Sequence, residues 1–290
     1  MNNYINLCFN SMSKILDLGF SETKSLYTHP DRRLNWNVLL YISAGEMEVW
    51  EEETEYILRE GQYLFLKNGL HHFGEPKTQA FTKWYWIHFY DCSINDTCEE
   101  LSLWDNAFTK LELSREDYNK FVKLPKQGKI RQPKAFEKNL NMLIEIYNSM
   151  SPFRSINLSI ETFQLLLSIY KESVGEYKYT KSDNTVKKII QYIEKKESYN
   201  LDSSELESCL DMNYSYLCNI FKYKTGHTIH SYNSQIFIYK AVNIMRSTNM
   251  NISEISDKLG FSNQFYFNRV FRRVMDCSPS EYLNQIYRSE

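Results

Sequence analysis

The sequence has little glycine and almost no net charge. Glycine occurs 9 times in 290 residues, against a typical share of about 7%. Neither G-x-G-x-x-G nor G-x-x-x-x-G-K-[ST] is present, which excludes the familiar glycine loops that cradle phosphates. Lys and Arg number 34 and Asp and Glu 36, so bulk charge announces neither a nucleic-acid binder nor an acidic disordered chain. The cysteines Cys8, Cys92, Cys98, Cys209, Cys218 and Cys277 form no C-x-x-C pair. Scattered in this way they give no zinc-finger pattern and read as reduced thiols in a cytosol. Apolar runs are short, such as Leu165-Leu166-Leu167, against the ~20 residues of a membrane span. The start, MNNYINLCFNSMSK, has no basic stretch leading into an apolar one, so no signal peptide is expected.

What is present suits a globular protein. Hydrophobic residues make up 42% and aromatics 15%, with 22 tyrosines. At ~150 residues per domain the length suggests about two domains. Residues 25–92 read as short strands broken by glycine or charge: 38–43 (VLLYIS), 47–50, 56–58, 63–66 (YLFL) and the alternating 81–89 (FTKWYWIHF). That rhythm suggests an antiparallel sandwich or barrel. Residues 107–173 read as helical. Apolar residues recur at three and four in 136–150 and again in 156–170, giving two amphipathic helices that pack on the barrel, on each other or on a second copy. Residues 175–184 lose the periodicity and read as a linker. From 185 onward the pattern is helical, with turns near 200–202, 211–213, 224–228, 249–251, 260–263 and 276–279. The expected fold class is a two-domain α+β chain. Residues 1–174 form an antiparallel β-barrel with a helical hairpin, and 185–290 form an all-α domain. The latter holds 13 Lys and Arg against 11 Asp and Glu, an asymmetry that agrees with DNA binding without establishing it.

The last third is the most specific. In 252–282 (ISEISDKLGFSNQFYFNRVFRRVMDCSPSEY) a short helix puts Ile252, Ile255 and Leu259 on one face and stops at Gly260. Ser262 is placed to cap a second helix, with Phe267, Val270 and Phe271 inward. Two helices joined by a tight glycine turn make a helix-turn-helix. Its outward residues, Ser262, Asn263, Gln264, Asn268, Arg269, Arg272 and Arg273, offer amides for adenine and guanidinium groups for guanine or phosphate. A weaker copy lies about 50 residues upstream at 204–224 (SELESCLDMNYSYLCNIFKYK), with Asn213, Tyr214, Ser215, Asn219 and Lys222 outward. Residues 229–247 between them read as one helix, roughly 28 Å at 1.5 Å per residue. Successive major-groove faces lie ~34 Å apart.

These motifs resemble the AraC/XylS family of bacterial transcription regulators. The resemblance is carried by 241–245 (AVNIM), by 252–271 in the pattern I-x-E-I-x-x-x-x-G-F-x-x-x-x-Y-F-x-R-x-F, and by 278–282 (SPSEY). The sequence departs from the family at Glu207, where a small residue is usual, at Asp211 and Asp276, where glycine is usual, and at Phe237 and Leu283, where arginine is usual. Aspartate tolerates left-handed backbone better than most residues, which lets those turns survive. Residues 39–46, 59–66, 69–74 (GLHHFG) and 84–89 (WYWIHF) are similar to that family's cupin-like effector barrel. The resemblance implies a cytoplasmic homodimeric regulator, expected to act as an activator. Double-stranded DNA and a small effector, with sugar favoured, are the implied partners, and RNA polymerase is a further candidate. Membrane contact, cofactor, metal and enzyme activity are not expected. Indole faces stack on sugars, and Trp84, Trp86 and His88 share one strand face by period two. With Arg33, Trp36, Tyr41, His72 and Phe73 they form the expected effector set, and Arg32 and Lys83 are further groups able to bind hydroxyls or a carboxylate. Two other readings stay open. A cupin metal enzyme would need His29, His71, His72 and His88 to converge, although the stretch GEMEVW lacks the histidines of the first cupin motif. An interaction adaptor would follow if Glu207 spoils the first motif.

Overall fold

The computed structural model describes residues 4–75, 81–90, 98–101, 115–175 and 180–287. The chain divides into two compact units; among the described residues, one holds the strands and the first three helices, the other the remaining helices.

In the first unit the central sheet has five strands. These are β2 (Lys14–Glu22), β4 (Asn37–Ala44), β7 (Gln62–Leu66), β9 (Lys83–Tyr90) and β12 (Gln127–Lys129), in the order β12-β7-β4-β9-β2. A second sheet runs β3-β8-β5-β6, formed by β3 (Arg32–Arg33), β5 (Glu46–Glu51), β6 (Thr54–Arg59) and β8 (His71–Phe73). A third sheet pairs β1 (Ile5–Cys8) and β10 (Glu99–Glu100) with β11 (Lys120–Leu124). All pairings are antiparallel except β10 with β11. The sheets are separate rather than closed into the expected barrel.

Period-two alternation gives the central sheet two apolar faces, because it is covered on both sides. Val38, Leu40, Ile42, Leu64, Leu66 and Trp84 meet Met47, Val49 and Leu58 of the second sheet. Leu39, Tyr41, Tyr63, Phe65, Tyr85, Ile87 and Phe89 face the other way, onto α2 (Pro133–Asn148) and α3 (Arg154–Gly175), which bury Phe136, Leu140, Leu143, Leu165, Leu166 and Ile169 there. The expected helical block of 107–173 is corrected. Residues 107–114 lie outside the described part, and after the short α1 (Arg115–Tyr118) the chain makes β11 and β12 before the hairpin starts. Strands this short carry too few alternating positions to announce themselves. The nine-residue β2 was not anticipated either. Its Gly19 sits under the Trp86 indole, where a Cβ would come within 2.9 Å of the ring, so the position that breaks the apolar rhythm is set by packing.

The second unit contains α4 (Lys181–Lys195), α5 (Ser203–Leu210), α6 (Tyr214–Thr225), α7 (Ile229–Ser247), α8 (Ile252–Lys258), α9 (Gln264–Met275) and α10 (Pro279–Tyr287). The turns between them match the sequence reading. The linker is shorter than expected, because Thr180 and Asp183 form a reciprocal capping box that starts α4 at Lys181; residues 176–179 lie outside the described part. Among the described cysteines, Cys98, Cys209, Cys218 and Cys277 form no disulfide. Cys8 is disulfide-bonded, which corrects the expectation of a reduced thiol there, since spacing along the chain does not tell which cysteines a fold brings together. Cys92 lies outside the described residues.

Candidate functional site

Two helix pairs, α5–α6 and α8–α9, share one frame. Asn213 and Asn263 are the N-caps of α6 and α9, accepting the N–H of Ser215 and Tyr266 at 2.9 and 2.8 Å. The cap expected at Ser262 therefore falls one residue later. Fifty positions apart, Leu217 matches Phe267 and Phe221 matches Phe271, all fully buried. The first motif packs in full. Leu206, Leu217 and Phe221 join Val186, Ile189, Ile193, Ile229 and Tyr232 in one core. Asp211 adopts left-handed backbone at φ 51° and Asp276 at φ 58°, as glycine would. Glu207, the residue that put this motif in question, accepts the Tyr214 N–H at 2.6 Å. It satisfies a free donor at the start of α6, where a negative charge is favoured.

The two motifs are also tied to each other. Tyr199, in the loop between α4 and α5, stacks on Phe261 at 4.1 Å and donates its backbone N–H to the Leu259 carbonyl at 2.7 Å. Its hydroxyl lies 3.1 Å from Ser234 Oγ and 3.2 Å from Tyr266 Oη. Gly260 has φ +73°, and a Cβ there would lie 2.9 Å from that of Ser198. The turn thus needs glycine both for its backbone and for the neighbouring loop.

The outward faces of α6 and α9 carry five of the twelve expected readers, while Asn213 and Asn263 are the caps and Gln264 is half-buried at the first position of α9. Ser215, Asn219 and Lys222 are exposed on α6, and Arg269 and Arg272 on α9. Four residues sit differently. Asn268 is half-buried with its Oδ1 enclosed and unpaired, because it flanks the packed side of α9. Arg273 turns to α7 and donates to Ser234 Oγ at 3.1 Å. Tyr214 pairs its hydroxyl with His230 Nε2 at 3.1 Å. Ser262 precedes the cap and lines a recess of about 380 Å³ with Tyr199, His230, Asn233 and Tyr266. The sequence reading missed Phe265, which is 86% exposed on the same stripe as Arg269 and Arg272. Its offset from Phe267, Val270 and Phe271 in the helical period is the signal that could have found it.

In the first unit, β9 presents Trp84, Trp86 and His88 to the space between the two large sheets, as period two requires. Trp36 lies 6.0 Å from the His88 ring and Trp86 4.8 Å from it, and Tyr27 lies 4.8 Å from Trp84. His72 is buried there, with its ring centroid 5.2 Å from that of His29. Arg32 Nε donates to His72 Nε2 at 3.2 Å. Burial, then the neighbouring His72 and Arg32, lowers His29 to a pKa of about 3. Burial, then Arg32, lowers His72 to about 4. Both rings are therefore neutral near pH 7. His29 Nε2 and Trp36 Nε1 are buried without a partner, which leaves polar groups available to a ligand.

Three members of the expected set do not join them. Tyr41 lies on the helix-facing side of β4 and donates its hydroxyl to Glu137 Oε1 at 3.0 Å. Phe73 stacks on Trp50 on the outer side of the second sheet, with ring centroids 5.9 Å apart. Arg33 bonds the Gly69 carbonyl and lies 3.4 Å from Glu52 at the surface. Parity explains each, since Tyr41, Phe73 and Arg33 are one residue from inward positions. Arg32 takes the place expected of Arg33. Among the described residues, no group of three or more His, Cys, Asp or Glu side chains is arranged to hold a metal. At His72 the Arg32 guanidinium occupies the lone pair a metal would use and adds a repelling charge. Among the described residues no helix is long and apolar enough to cross a membrane.

The comparisons with known proteins divide the chain in the same way. The AraC-like ligand binding domain model matches residues 18–118, and a helix-turn-helix domain model matches residues 206–285. The chain is similar to the HTH-type transcriptional regulator YisR of Bacillus subtilis, at 23% identity, with 90% of each chain covered. It is similar to the arabinose operon regulatory protein of Escherichia coli, at 25% identity over 82% of this chain and 77% of that one. A structural likeness to ToxT from Vibrio cholerae covers 92% of this chain and 96% of that one, at 17% identity and a TM-score of 0.31.

Proposed function

The chain belongs to the AraC family of transcription regulators, and from that premise we propose how its two units divide the work. It is a sequence-specific DNA-binding regulator governed by a small molecule, in a family of regulators rather than enzymes. The observation that carries the DNA reading is the repeated frame: two capped helices, 50 residues apart, packed alike and exposing polar or cationic stripes. Lys222, Arg269 and Arg272 would supply phosphate or guanine contacts, and Ser215, Asn219 and Gln264 base contacts. The 19-residue α7 between the motifs, roughly 28 Å long, suits two readers in successive major grooves on one DNA face.

The effector is a carbohydrate bound between the two large sheets. Trp36, Trp84 and Trp86 offer ring faces, and His29, His72, His88 and Arg32 offer polar groups around them. The arabinose-operon relative supports a sugar. The exposed Met150, Phe153 and Ile156 at the turn between α2 and α3 support a homodimer formed there. Ligand binding would shift the equilibrium between states of unequal DNA affinity. The protein would act in the cytoplasm, as an activator that meets RNA polymerase at its promoter.

Two titrations test this. Selection of duplexes from a random pool by the full-length protein should return a sequence motif whose affinity falls with salt. Sequence-blind or salt-independent binding would overturn the DNA reading. Thermal melting against pentoses, hexoses and sugar phosphates should raise the transition, because a ligand at 100 times its Kd adds about 2.7 kcal/mol. No shift with any sugar, together with a shift for another ligand class, would overturn the carbohydrate reading.

A further inference from the structure

Phe265 is the most exposed large apolar side chain among the described residues of the second unit, at 86%. It is the second residue of α9, directly after Gln264. Arg269 and Arg272 follow it at four and seven residues, so the three share one helix face. That face is opposite the buried Phe267, Val270 and Phe271. Folding of this chain does not use the ring, and a bare phenyl group in water is unfavourable. Flanked by two guanidinium groups, the ring is offered to something polyanionic that also carries an apolar feature.

We propose that Phe265 is a specificity residue that contacts the C5-methyl group of a thymine in the major groove. This rests on the DNA-binding reading of the unit. In a helix-turn-helix the first residues of the second helix meet the base edges, and Phe265 is there. A phenyl ring can neither donate nor accept a conventional hydrogen bond, so it cannot choose among adenine, guanine and cytosine by pairing with their edges. The thymine methyl is the apolar group that an unmodified base edge presents in that groove. Arg269 and Arg272 would hold the flanking guanine or phosphate groups and press the ring against the bases. The matching position in α6, fifty residues earlier, is Ser215, so only the second motif makes this contact.

The test removes one methyl group at a time. The probe is a duplex selected from a random pool by the wild-type protein, with each thymine in turn replaced by deoxyuridine. Wild-type binding should weaken by about fourfold at one thymine, the worth of one buried methyl group. Phe265→Ala should bind the thymine duplex more weakly and no longer distinguish thymine from deoxyuridine at that position. Phe265→Leu, which keeps an apolar side chain, should retain part of the discrimination. The ring is exposed, so thermal melting should find both variants folded. If deoxyuridine affects wild type and Phe265→Ala equally at every position while both bind specifically, the proposal fails and the DNA reading stands. If the wild type selects no sequence at all, the reading of the whole unit fails with it.

Discussion

Acid should weaken the N-terminal unit through His29 and His72. The relevant range runs from pH 7.5 down to pH 5.0. Burial is the main reason that His29 is held near a pKa of about 3 and His72 near about 4. An unfolded chain has histidine near 6.5. Both native values are lowered, so at pH 7.5 the two states are almost equally unprotonated and the pair contributes little to the balance. As pH falls through about 6.5, the unfolded chain binds protons that the native rings refuse, and stability is lost until the native values are reached. At pH 5.0 the unfolded state gains about 1.5 log units of proton binding at His29, or about 2 kcal/mol. His72 acts in the same direction and raises the ceiling to about 4 kcal/mol for the two. The assay is urea unfolding of the full chain followed by tryptophan fluorescence, since all five tryptophans lie in the first 104 residues. Carboxylates also contribute to the wild-type curve, so the comparison is with His29→Gln, which cannot titrate. Between the two pH values the variant should lose about 2 kcal/mol less than the wild type. Equal losses would mean that His29 is not held neutral by its surroundings.

Other substitutions test separate parts of the molecule. Gly260→Ala should cost at least about 1 kcal/mol, from the left-handed backbone and from the close approach of Ser198. Ser198→Gly in the same chain should recover only the steric part, and a Gly260→Ala variant that melts like wild type would refute the account. Asp183→Asn should lower the melting temperature of the C-terminal unit by removing the partner of Lys224, 2.8 Å away, and weakening the cap of α4, a loss of about 1–2 kcal/mol. Burial would raise the Asp183 pKa, but hydrogen bonds from Lys224 and Thr180 outweigh it and lower the value. The contribution of Asp183 is therefore lost only as pH falls below the ordinary aspartate value of about 4, under the histidine window. Phe153→Glu places a charge on the exposed tip between α2 and α3. It should convert a dimer to monomer in sedimentation at unchanged helix content, and an unaltered mass would move the interface elsewhere.

The legible and illegible parts of the sequence differ for physical reasons. In α6 to α10 the packing is local, each helix carrying its own apolar stripe, stop residue and cap. The 229–247 helix was therefore legible to the residue, and the turns at Asp211 and Asp276 survive as aspartate allows. The strands at 38–43, 63–66 and 81–89 were legible as strands. Which side of each faced the second sheet was not. A sheet covered on both sides alternates two apolar sets, and nothing local separates Leu39 and Tyr41 from Leu40 and Ile42. The same ambiguity put Arg33 in place of Arg32. Residues such as Tyr27 and His29 lie between regular strands, where no period assigns a face. Glu207 was misleading for the opposite reason. Judged by size it should spoil a helix packing, whereas its carboxylate works as a cap for the next helix.

The two reading helices share a scaffold but not a surface, and this constrains the DNA. On α6 the outward stripe is Ser215, Asn219 and Lys222; on α9 the equivalent positions, fifty residues on, are Phe265, Arg269 and Arg272. One stripe is polar with a single cation, the other apolar with two. Each phosphate neutralised contributes about −0.9 to the slope of log K against log salt. If all three cations meet phosphates, Lys222→Ala should flatten the slope by about 0.9, and Arg269→Ala with Arg272→Ala by about 1.8. The second motif would then supply most of the charge-driven affinity, and the first more of its discrimination through Asn219. Unlike stripes cannot favour the same bases, so one protomer should select two dissimilar half-sites about one helical turn apart. Recovery of two identical half-sites by a single protomer, or equal salt slopes for the α6 and α9 variants, would contradict this division.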